Sequence, residues 1–261
     1  RYFVPVGART HTTAGDTGDF DLIGQVAPSL ELFDAAASAD YVHAVVSLIE
    51  AGAAVPSLRG LLRFEPASAV PTSAPPPAWS VRPQGGAYSN SVVFAERRIV
   101  LKTFRGFSGG VNPEAEIGQA LAGVAGFSDV APFIGHVVYE RPEGDRESVA
   151  VVTAEVPSQG DAWELTVASL TSAATNGAGR KIDMEGLGRA IARLHVALAS
   201  VERPGFGRRQ VSCDDLTAWI HAYERHAQDA CRALGAFYDM SGKRLDVPEA
   251  VLASPLSRYM G

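Results

Sequence analysis

The sequence predicts an α+β fold, in which antiparallel strands with two helices among them occupy the residues up to 156 and helices occupy the remainder. In the first part, short runs of Val, Ile, Leu and Phe alternate with Gly, Pro and charged turn residues, a pattern typical of strands and hairpins. In the second part, apolar residues recur three and four positions apart, which is typical of amphipathic helices. With 261 residues, 46% of them hydrophobic, the chain can bury the core of two domains or subdomains.

The composition excludes several classes of partner. The net charge is −6, from 29 acidic and 23 basic residues, whereas binding to nucleic acid or to an anionic membrane needs a basic face. No apolar run approaches the ~20 residues of a membrane span, and the start of the sequence lacks the pattern of a signal peptide. Cys213 and Cys231 fit reduced thiols. We therefore expect a cytoplasmic protein that binds neither nucleic acid nor membrane.

The first 65 residues predict a small α+β unit. Ser38 can cap a helix that ends at Gly52 and carries one apolar stripe. The stripe consists of Val42, Val45, Val46 and Ile49. Apolar runs bounded by turn residues predict strands at 2–6, 20–26, 30–33 and 61–64.

Residues 66–79 are rich in Pro, Ala and Ser, which favours an extended, semi-rigid connection over a packed element. We interpret this segment as the linker between the first unit, 1–65, and a second unit, 80–156. A Pro-rich ligand for a recognition module is the alternative, and the position between two folded units disfavours it.

The second unit is organised around one lysine. Two apolar runs, 92–94 and 99–104, are joined by a charged turn and predict a hairpin. Lys102 lies inside the second run, and a buried ammonium is tolerated only with a partner. A helix capped by Asn112 is predicted over 113–124, and its opening turns offer two carboxylates. They are Glu114 and Glu116.

The same order of elements occurs in the small lobe of kinase-like phosphotransferases, where a loop covers the ATP phosphates and a lysine, held by a helix glutamate, contacts them. Here the polar loop 84–91 precedes the hairpin, and its glycines allow close approach to phosphate. The alternatives are an ordinary connecting loop and an exposed edge strand with Lys102 in water. On a helical wheel, Glu114 lies nearer the apolar stripe of Ile117, Leu121 and Val124 than Glu116 does.

The remaining elements complete this architecture. Runs at 133–140 and 148–156 predict a second hairpin around 143–145, which would complete a five-stranded antiparallel sheet with one helix on it. Residues 157–160 interrupt the run of predicted strands. Asp161 can start a helix, 171–181 predicts a loop, and a helix follows over 183–201. A further helix is predicted from Ser212 to Gly235, so that 157–261 forms the first helices of a helical lobe.

Several blocks of the sequence resemble the maltokinase family, in family order. They are 89–94, 99–105, 112–117, 155–163 and 187–195, and residues 2–6 are similar to the amino-terminal cap of that family. These ATP-dependent sugar kinases, distantly related to aminoglycoside phosphotransferases, phosphorylate maltose at its anomeric hydroxyl. The resemblance implies an N-terminal cap subdomain (1–65), a kinase-like N-lobe (80–156) and the start of a C-lobe (157–261).

The resemblance also implies site residues and cofactors. The cofactors are ATP and Mg²⁺, and Glu116 is the residue that matches the lysine-binding glutamate. Residues 157–160 are then the hinge between lobes, where backbone groups contact adenine. The implied nucleotide-binding residues are Lys102, Glu116, Ser89, Asn90, Ser91, Glu155, Val156 and Asp161.

The catalytic and metal-binding motifs of the family are not among these residues. The family carries a His-Gly-Asp-x-His-type loop and a later Asp-containing metal motif, and neither occurs here. The sequence also begins with Arg1 instead of an initiator Met. We therefore expect a fragment without catalytic residues or metal ligands, inactive alone.

The expected function is the conversion of maltose to maltose 1-phosphate with ATP by the longer protein. The alternatives are a related kinase of another acceptor, such as glucosamine, and a non-catalytic, pseudokinase-like binding module. The expected partner is a small-molecule sugar, and association or fusion with a trehalose synthase stays open.

For the other polar residues that could carry chemistry, the sequence favours structural roles. His195 flanks an apolar helical stripe and fits a packed core histidine. The spacing of five between His221, His226 and Cys231 does not match two ligands on one helix face, so a zinc site is not expected. The pair 214–215 lies at a predicted helix start, where carboxylates favour capping.

Overall fold

The computed structural model describes residues 2–10, 22–67, 80–84, 90–107, 109–124, 126–158, 160–176 and 182–241. Two compact units, Arg1–Gly207 and Arg208–Gly261, divide the chain. The strands are β1 (Val6–Thr10), β2 (Leu22–Ala27), β3 (Leu30–Asp34), β4 (Ala54–Ser57), β5 (Gly60–Pro66), β6 (Val81–Pro83), β7 (Asn90–Ala95), β8 (Ile99–Phe104), β9 (Phe133–Glu140) and β10 (Arg146–Ala154). The helices are a 3-10 turn (Ala35–Ala37), α1 (Ala39–Glu50), α2 (Pro113–Ala122), α3 (Ala162–Asn176), α4 (Met184–Ala199) and α5 (Cys213–Ser241).

The main sheet is antiparallel, and its described part has seven strands in the order β4-β5-β9-β10-β8-β7-β6. It is two strands wider than the predicted five, because β5 pairs with β9, with Leu62 opposite Tyr139, and β4 pairs with β5. The alternation in β5 explains this pairing: Phe64 is buried in the core, while Arg63 bonds Glu140 on the other face. The expected linker 66–79 therefore starts too early, since residue 66 is still in β5, and 68–79 lie outside the described residues.

A second sheet has three strands among the described residues, in the order β1-β3-β2. The predicted strands 20–26 and 30–33 are confirmed as β2 and β3 over their described residues. The predicted strand 2–6 is wrong in position, because β1 starts at Val6 and Tyr2 makes only an isolated bridge to Gly106. Val6–Thr10 pair with β3, and in this register the Phe33 ring lies against Gly7, which has no side chain to clash with it.

Helix α1 covers one face of the main sheet. Ser38 caps it as predicted, with the Ser38 hydroxyl accepting a hydrogen bond from the Tyr41 N–H at 3.1 Å. The predicted apolar stripe is buried without exception and joins the sheet in one core. This core includes Val42, Val45, Val46, Ile49, Phe64, Val93, Leu101, Val149 and Val152.

Helix α2 covers part of the opposite face. Asn112 caps it, its side-chain oxygen accepting from the Glu114 N–H at 2.9 Å. Ala115 is fully buried beside Phe133, and Gly118 leaves room for the same ring. Ile117, which the wheel placed on the buried stripe, is instead 36% exposed, because the helix packs through small residues one position away.

Helices α3 and α4 follow the strand region. Helix α3 continues to Asn176, so the predicted loop 171–181 is wrong in its first half; the Thr175 hydroxyl bonds the Thr171 carbonyl and thereby remains compatible with a helix. Helix α4 is confirmed, with Asp183 accepting from the Gly186 N–H at 2.8 Å. His195 is exposed instead of packed in the core, because the buried side of α4 runs through Ala197.

The second unit contains α5. Ser212 and Asp215 cap it reciprocally, and Arg209 bonds the same carboxylate; these contacts lower the pKa of Asp215 to about 2, the Arg209 hydrogen bond being the largest cause. The predicted stop at Gly235 is wrong, since α5 continues to Ser241. A single glycine within a helix costs only about 1 kcal/mol. Among the described helices none is both long and apolar enough to cross a membrane.

Candidate functional site

Lys102 lies in an interior strand and is paired with a carboxylate. In β8 it is flanked by Val92 of β7 and Val151 of β10. Its ammonium Nζ is 2.6 Å from Oε2 of Glu114 and 5.7 Å from the centre of the Phe104 ring. The prediction of a partnered lysine is confirmed, and the alternative of an exposed edge strand is wrong.

The partner is Glu114, so the assignment of Glu116 from the family resemblance is corrected. Two positions along an α-helix differ by about 200°, so these side chains leave α2 on different sides. Ala115, between them, faces the sheet, which puts one glutamate on the flank toward β8 and leaves Glu116 exposed. The helical wheel, which depends only on the sequence, indicated the correct residue.

The pair is accessible to solvent. The Lys102 side chain is 30% exposed and that of Glu114 is 45% exposed. An ion pair this exposed contributes roughly 0.2–1 kcal/mol to stability. Its main effect is therefore to orient the ammonium, which has three N–H donors and keeps others available for an anion.

The two faces of the β7–β8 hairpin differ in a way that creates a site. Residues at one set of alternate positions, Val93 and Leu101, are buried in the core beneath α1. The other set is only half-buried and apolar, and the lysine is its charged member. This set comprises Val92, Phe94, Val100 and Lys102. An apolar surface ending in an ammonium can receive a flat apolar ring with an attached anionic group.

The predicted loop residues separate at the start of β7. Asn90 lies opposite Phe104 and thus on the same face as Lys102. Ser91 lies opposite Thr103 on the other face, where its hydroxyl accepts a hydrogen bond from Nε of Arg105 at 2.8 Å. This placement corrects the expectation that Ser91 contacts phosphate. Ser89 lies outside the described residues.

The predicted hinge follows the end of β10. The Glu155 N–H donates to the Arg98 carbonyl at 2.7 Å, and its carboxylate is 3.4 Å from Arg82. Val156 is 55% exposed. Asp161 caps α3 by accepting from the Glu164 N–H at 2.7 Å, a role that accounts for it without a nucleotide.

Sequence reasoning missed two arginines that contact β7. The Arg82 guanidinium, from β6, lies over the Phe94 ring, 4.4 Å from its centre. Arg105 lies on the face opposite Lys102, where it links Ser91 to β3 of the three-stranded sheet through Asp34. Both arginines are visible in the sequence, but their contacts depend on the strand register.

The described residues offer no group of three or more His, Cys, Asp or Glu side chains that could hold a metal ion. The described residues around Lys102 thus give Mg²⁺ no ready ligand set. No catalytic step through the metal follows from them.

The architecture is α+β, with antiparallel sheets and several helices, and is compatible with a kinase-like fold. The sequence matches no family model. A glucosamine kinase structure in crystal form B is similar at 22% identity over 60% of this chain and 39% of that chain, with a TM-score of 0.37. A glucosamine kinase complex with glucosamine, ADP and inorganic phosphate is similar at 23% identity over 58% and 38%, with a TM-score of 0.39. This chain spans about two fifths of their length, and such a level of similarity does not assign it a function.

Proposed function

We propose that this chain is the ATP-binding part of a sugar kinase and that Lys102 contacts the phosphates of the nucleotide. The observation that carries the proposal is the 2.6 Å contact between Lys102 and Glu114 on the half-open face of the hairpin. In kinases, a lysine of the third strand, oriented by a glutamate of the next helix, contacts the ATP phosphates. Counted from β6, Lys102 lies in the third strand and Glu114 in the helix that follows.

The surroundings of the lysine support a nucleotide as the ligand. The apolar residues on its face, Val92, Phe94 and Val100, suit a purine ring. Asn90 adds an amide on the same face, at the end of β7 that follows the predicted phosphate loop. Glu155 and Val156 leave β10 at the end of the sheet nearest Phe94, where backbone groups suit the adenine edge.

For the longer protein we propose phosphorylation of a sugar hydroxyl. Maltose, with maltose 1-phosphate as product, is the acceptor that the maltokinase resemblance favours. Glucosamine, which one similar kinase binds, is the alternative. Mg²⁺ and a functional association with trehalose synthase belong to the same proposal for the longer protein.

Calorimetric titration of the chain with ATP, ADP and adenosine tests the proposal. We expect ATP to bind more tightly than adenosine, and Lys102→Met to weaken ATP binding by about 10- to 100-fold, because a hydrogen bond to a charged group contributes roughly 1.5–3 kcal/mol. Adenosine binding should change little, since Lys102 faces phosphate. ATP and adenosine affinities that respond equally to Lys102→Met would contradict the assigned contact.

Two isosteric variants of one helix provide a matched control. Glu114→Gln removes the charge that orients Lys102 and should weaken ATP binding by about threefold to tenfold. Glu116→Gln makes the same chemical change two residues away, on an exposed side chain, and should leave the affinity unchanged. The reverse result would restore the pairing that the family resemblance implied.

The acceptor is tested in a chain extended through an Asp-containing catalytic loop. ADP release is measured across a panel that includes maltose and glucosamine. Turnover with one sugar identifies the acceptor, whereas ATP binding without turnover on any sugar favours the non-catalytic binding module.

A further inference from the structure

We propose that Arg105 is a positioning residue that braces the phosphate-binding end of β7 against the N-terminal sheet, an inference that rests on the proposed function. Arg105 directly follows β8, three residues after Lys102. Its guanidinium contacts two segments that are distant in sequence, β7 and the end of β3. It thereby links the N-terminal part of the chain to the strand that carries Asn90.

The guanidinium is held from both sides. Its Nε donates to the Ser91 hydroxyl at 2.8 Å, and one terminal nitrogen is 2.6 Å from Oδ2 of Asp34. The Arg105 and Asp34 side chains are only 23% and 20% exposed. The other oxygen of Asp34 accepts from the Ala36 N–H at 3.0 Å, so the carboxylate is fixed by the 3-10 turn. Arg105 therefore anchors Ser91 to a rigid point.

Anchoring Ser91 also orients its neighbour. Successive strand residues point to opposite faces, so Ser91 on the α1 side requires Asn90 to lie on the Lys102 side. If the Ser91 contact is lost, the first residue of β7 is free to turn or fray, and Asn90 no longer has a fixed place beside the ammonium. Arg105 thus acts on the nucleotide through the strand instead of by contact.

Backbone and side-chain contacts reinforce the same junction. The Phe3 N–H donates to the Arg105 carbonyl at 2.9 Å, and Tyr2 bridges Gly106. Two residues before Arg105, the Thr103 hydroxyl is 3.2 Å from the Tyr41 hydroxyl of α1. The end of β8 is thus contacted by three N-terminal segments, namely the chain start, the 3-10 turn and α1.

The geometry requires an arginine. A guanidinium presents several N–H groups in a rigid fork and can donate to a hydroxyl and a carboxylate at once, whereas a lysine ammonium is a point charge on a flexible stem. Arg105→Lys should therefore keep the attraction to Asp34 but lose the fixed contact with Ser91.

The test compares binding of ATP and adenosine by variants of the full chain, with the melting temperature as a second readout. Arg105→Ala should weaken ATP binding by about tenfold relative to adenosine, within the range expected for coupling through a contact network. Ser91→Ala, which deletes only the hydroxyl, should lower the same ratio by about threefold. Arg105→Lys should fall between Arg105→Ala and the unchanged chain.

Arg63→Ala is the matched control. Arg63 makes an arginine–carboxylate pair of similar kind with Glu140, at 2.5 Å, on strands remote from β7. It should leave the ratio of ATP to adenosine affinity unchanged, whatever its effect on stability.

The outcomes separate the two proposals. If the unchanged chain binds no ATP, the proposed function fails and the role of Arg105 fails with it. If the unchanged chain binds ATP and the Arg105 and Ser91 variants only lower the melting temperature while the affinity ratio stays constant, Arg105 is purely structural and the inference alone is overturned. Should Arg105→Ala not fold, Ser91→Ala and Arg105→Lys decide the question.

Discussion

His136 is a buried histidine whose two ring nitrogens have different surroundings. Its Nε2 is 2.9 Å from Oε2 of Glu65, while Nδ1 has no hydrogen-bond partner among the described residues. The residue is only 4% exposed and lies beside the Phe133 ring. Burial lowers the pKa of His136, against the opposing effect of Glu65, and the nearby Arg146 guanidinium lowers it further.

The lowered pKa of His136 predicts a loss of stability in mild acid. In the unfolded chain a histidine has a pKa near 6.5, so below that pH the unfolded state binds the proton more readily than the folded state does. Stability should be fully present above about pH 6.5 and decrease as the pH falls toward the lower pKa of the folded state. Urea unfolding at pH 7.5 and 5.5 measures the effect.

The comparison is between variants, because the other histidines of the chain also titrate in this range. His136→Gln should show a smaller drop in unfolding free energy between the two pH values than the unchanged chain does. His195→Gln, on an exposed helical position, should show the same drop as the unchanged chain. Equal drops for all three proteins would exclude His136 as the source.

At the scale of elements, the docking of α2 on the sheet decides where its glutamate lies. Gly118 faces the Phe133 ring so closely that a Cβ built there would be 2.6 Å from a ring carbon. Ala115 and Leu121 are buried on the same side of the helix. The small residues let α2 lie close to β9, which places Glu114 within reach of Lys102.

Gly118→Ala should therefore reduce both stability and ATP binding. Overpacking of this kind costs roughly 1–3 kcal/mol, and moving α2 off the sheet should separate Glu114 from Lys102. Gly123→Ala is the matched control, since its Cβ would meet nothing nearer than a carbonyl oxygen at 3.5 Å. Thermal unfolding and ATP titration check the two effects.

Relief of the clash gives a second check. Phe133→Leu in the Gly118→Ala background removes part of the ring and should restore ATP affinity relative to Gly118→Ala alone. If Gly118→Ala binds ATP as the unchanged chain does, the close approach of α2 does not position its glutamate.

At the scale of the whole molecule, one hydrophobic core extends across the boundary that the composition predicts between two units. The expected cap, 1–65, and the expected lobe, 80–156, share one sheet through the pairing of β5 with β9. They also share one core, in which α1 residues such as Ile49 pack with Leu101 and Val152. All of these residues belong to the same compact unit.

A chain that starts at residue 80 should therefore not fold cooperatively. It lacks α1 and the first two strands of the main sheet, so Val93, Leu101 and Val152, each at most 1% exposed in the structure, would face water. Loss of a sigmoidal melting curve by circular dichroism, together with self-association, is the expected result. A sharp transition in the shortened chain, at the melting temperature of the parent, would show that the lobe folds alone.

Many element positions could be predicted because their signals are local. The caps Ser38, Asn112 and Asp183 begin the helices where expected, and the glycine turn at 144 joins β9 and β10 as predicted. Helix ends were less certain: α3 and α5 run past their predicted stops, because the side chains there tolerate helix as well as loop.

The site was predicted in part. A lysine within an apolar strand requires a partner wherever the strand lies, so Lys102 could be singled out without coordinates. Its partner depends on how helix α2 docks on the sheet. The opposite faces taken by Asn90 and Ser91 depend on the strand register, because a shift of one residue moves every side chain of a strand to the other face.

The sequence by itself determined most of the strands and helices, the caps Ser38 and Asn112, and the presence of one ammonium that needs a carboxylate. Only the tertiary structure decided that Glu114 supplies it, that β4 and β5 widen the sheet, and that Arg105 connects Asp34 to Ser91. The reason is physical: caps and periodicity act between residues a few positions apart, whereas these contacts join segments whose proximity arises only when the whole core assembles.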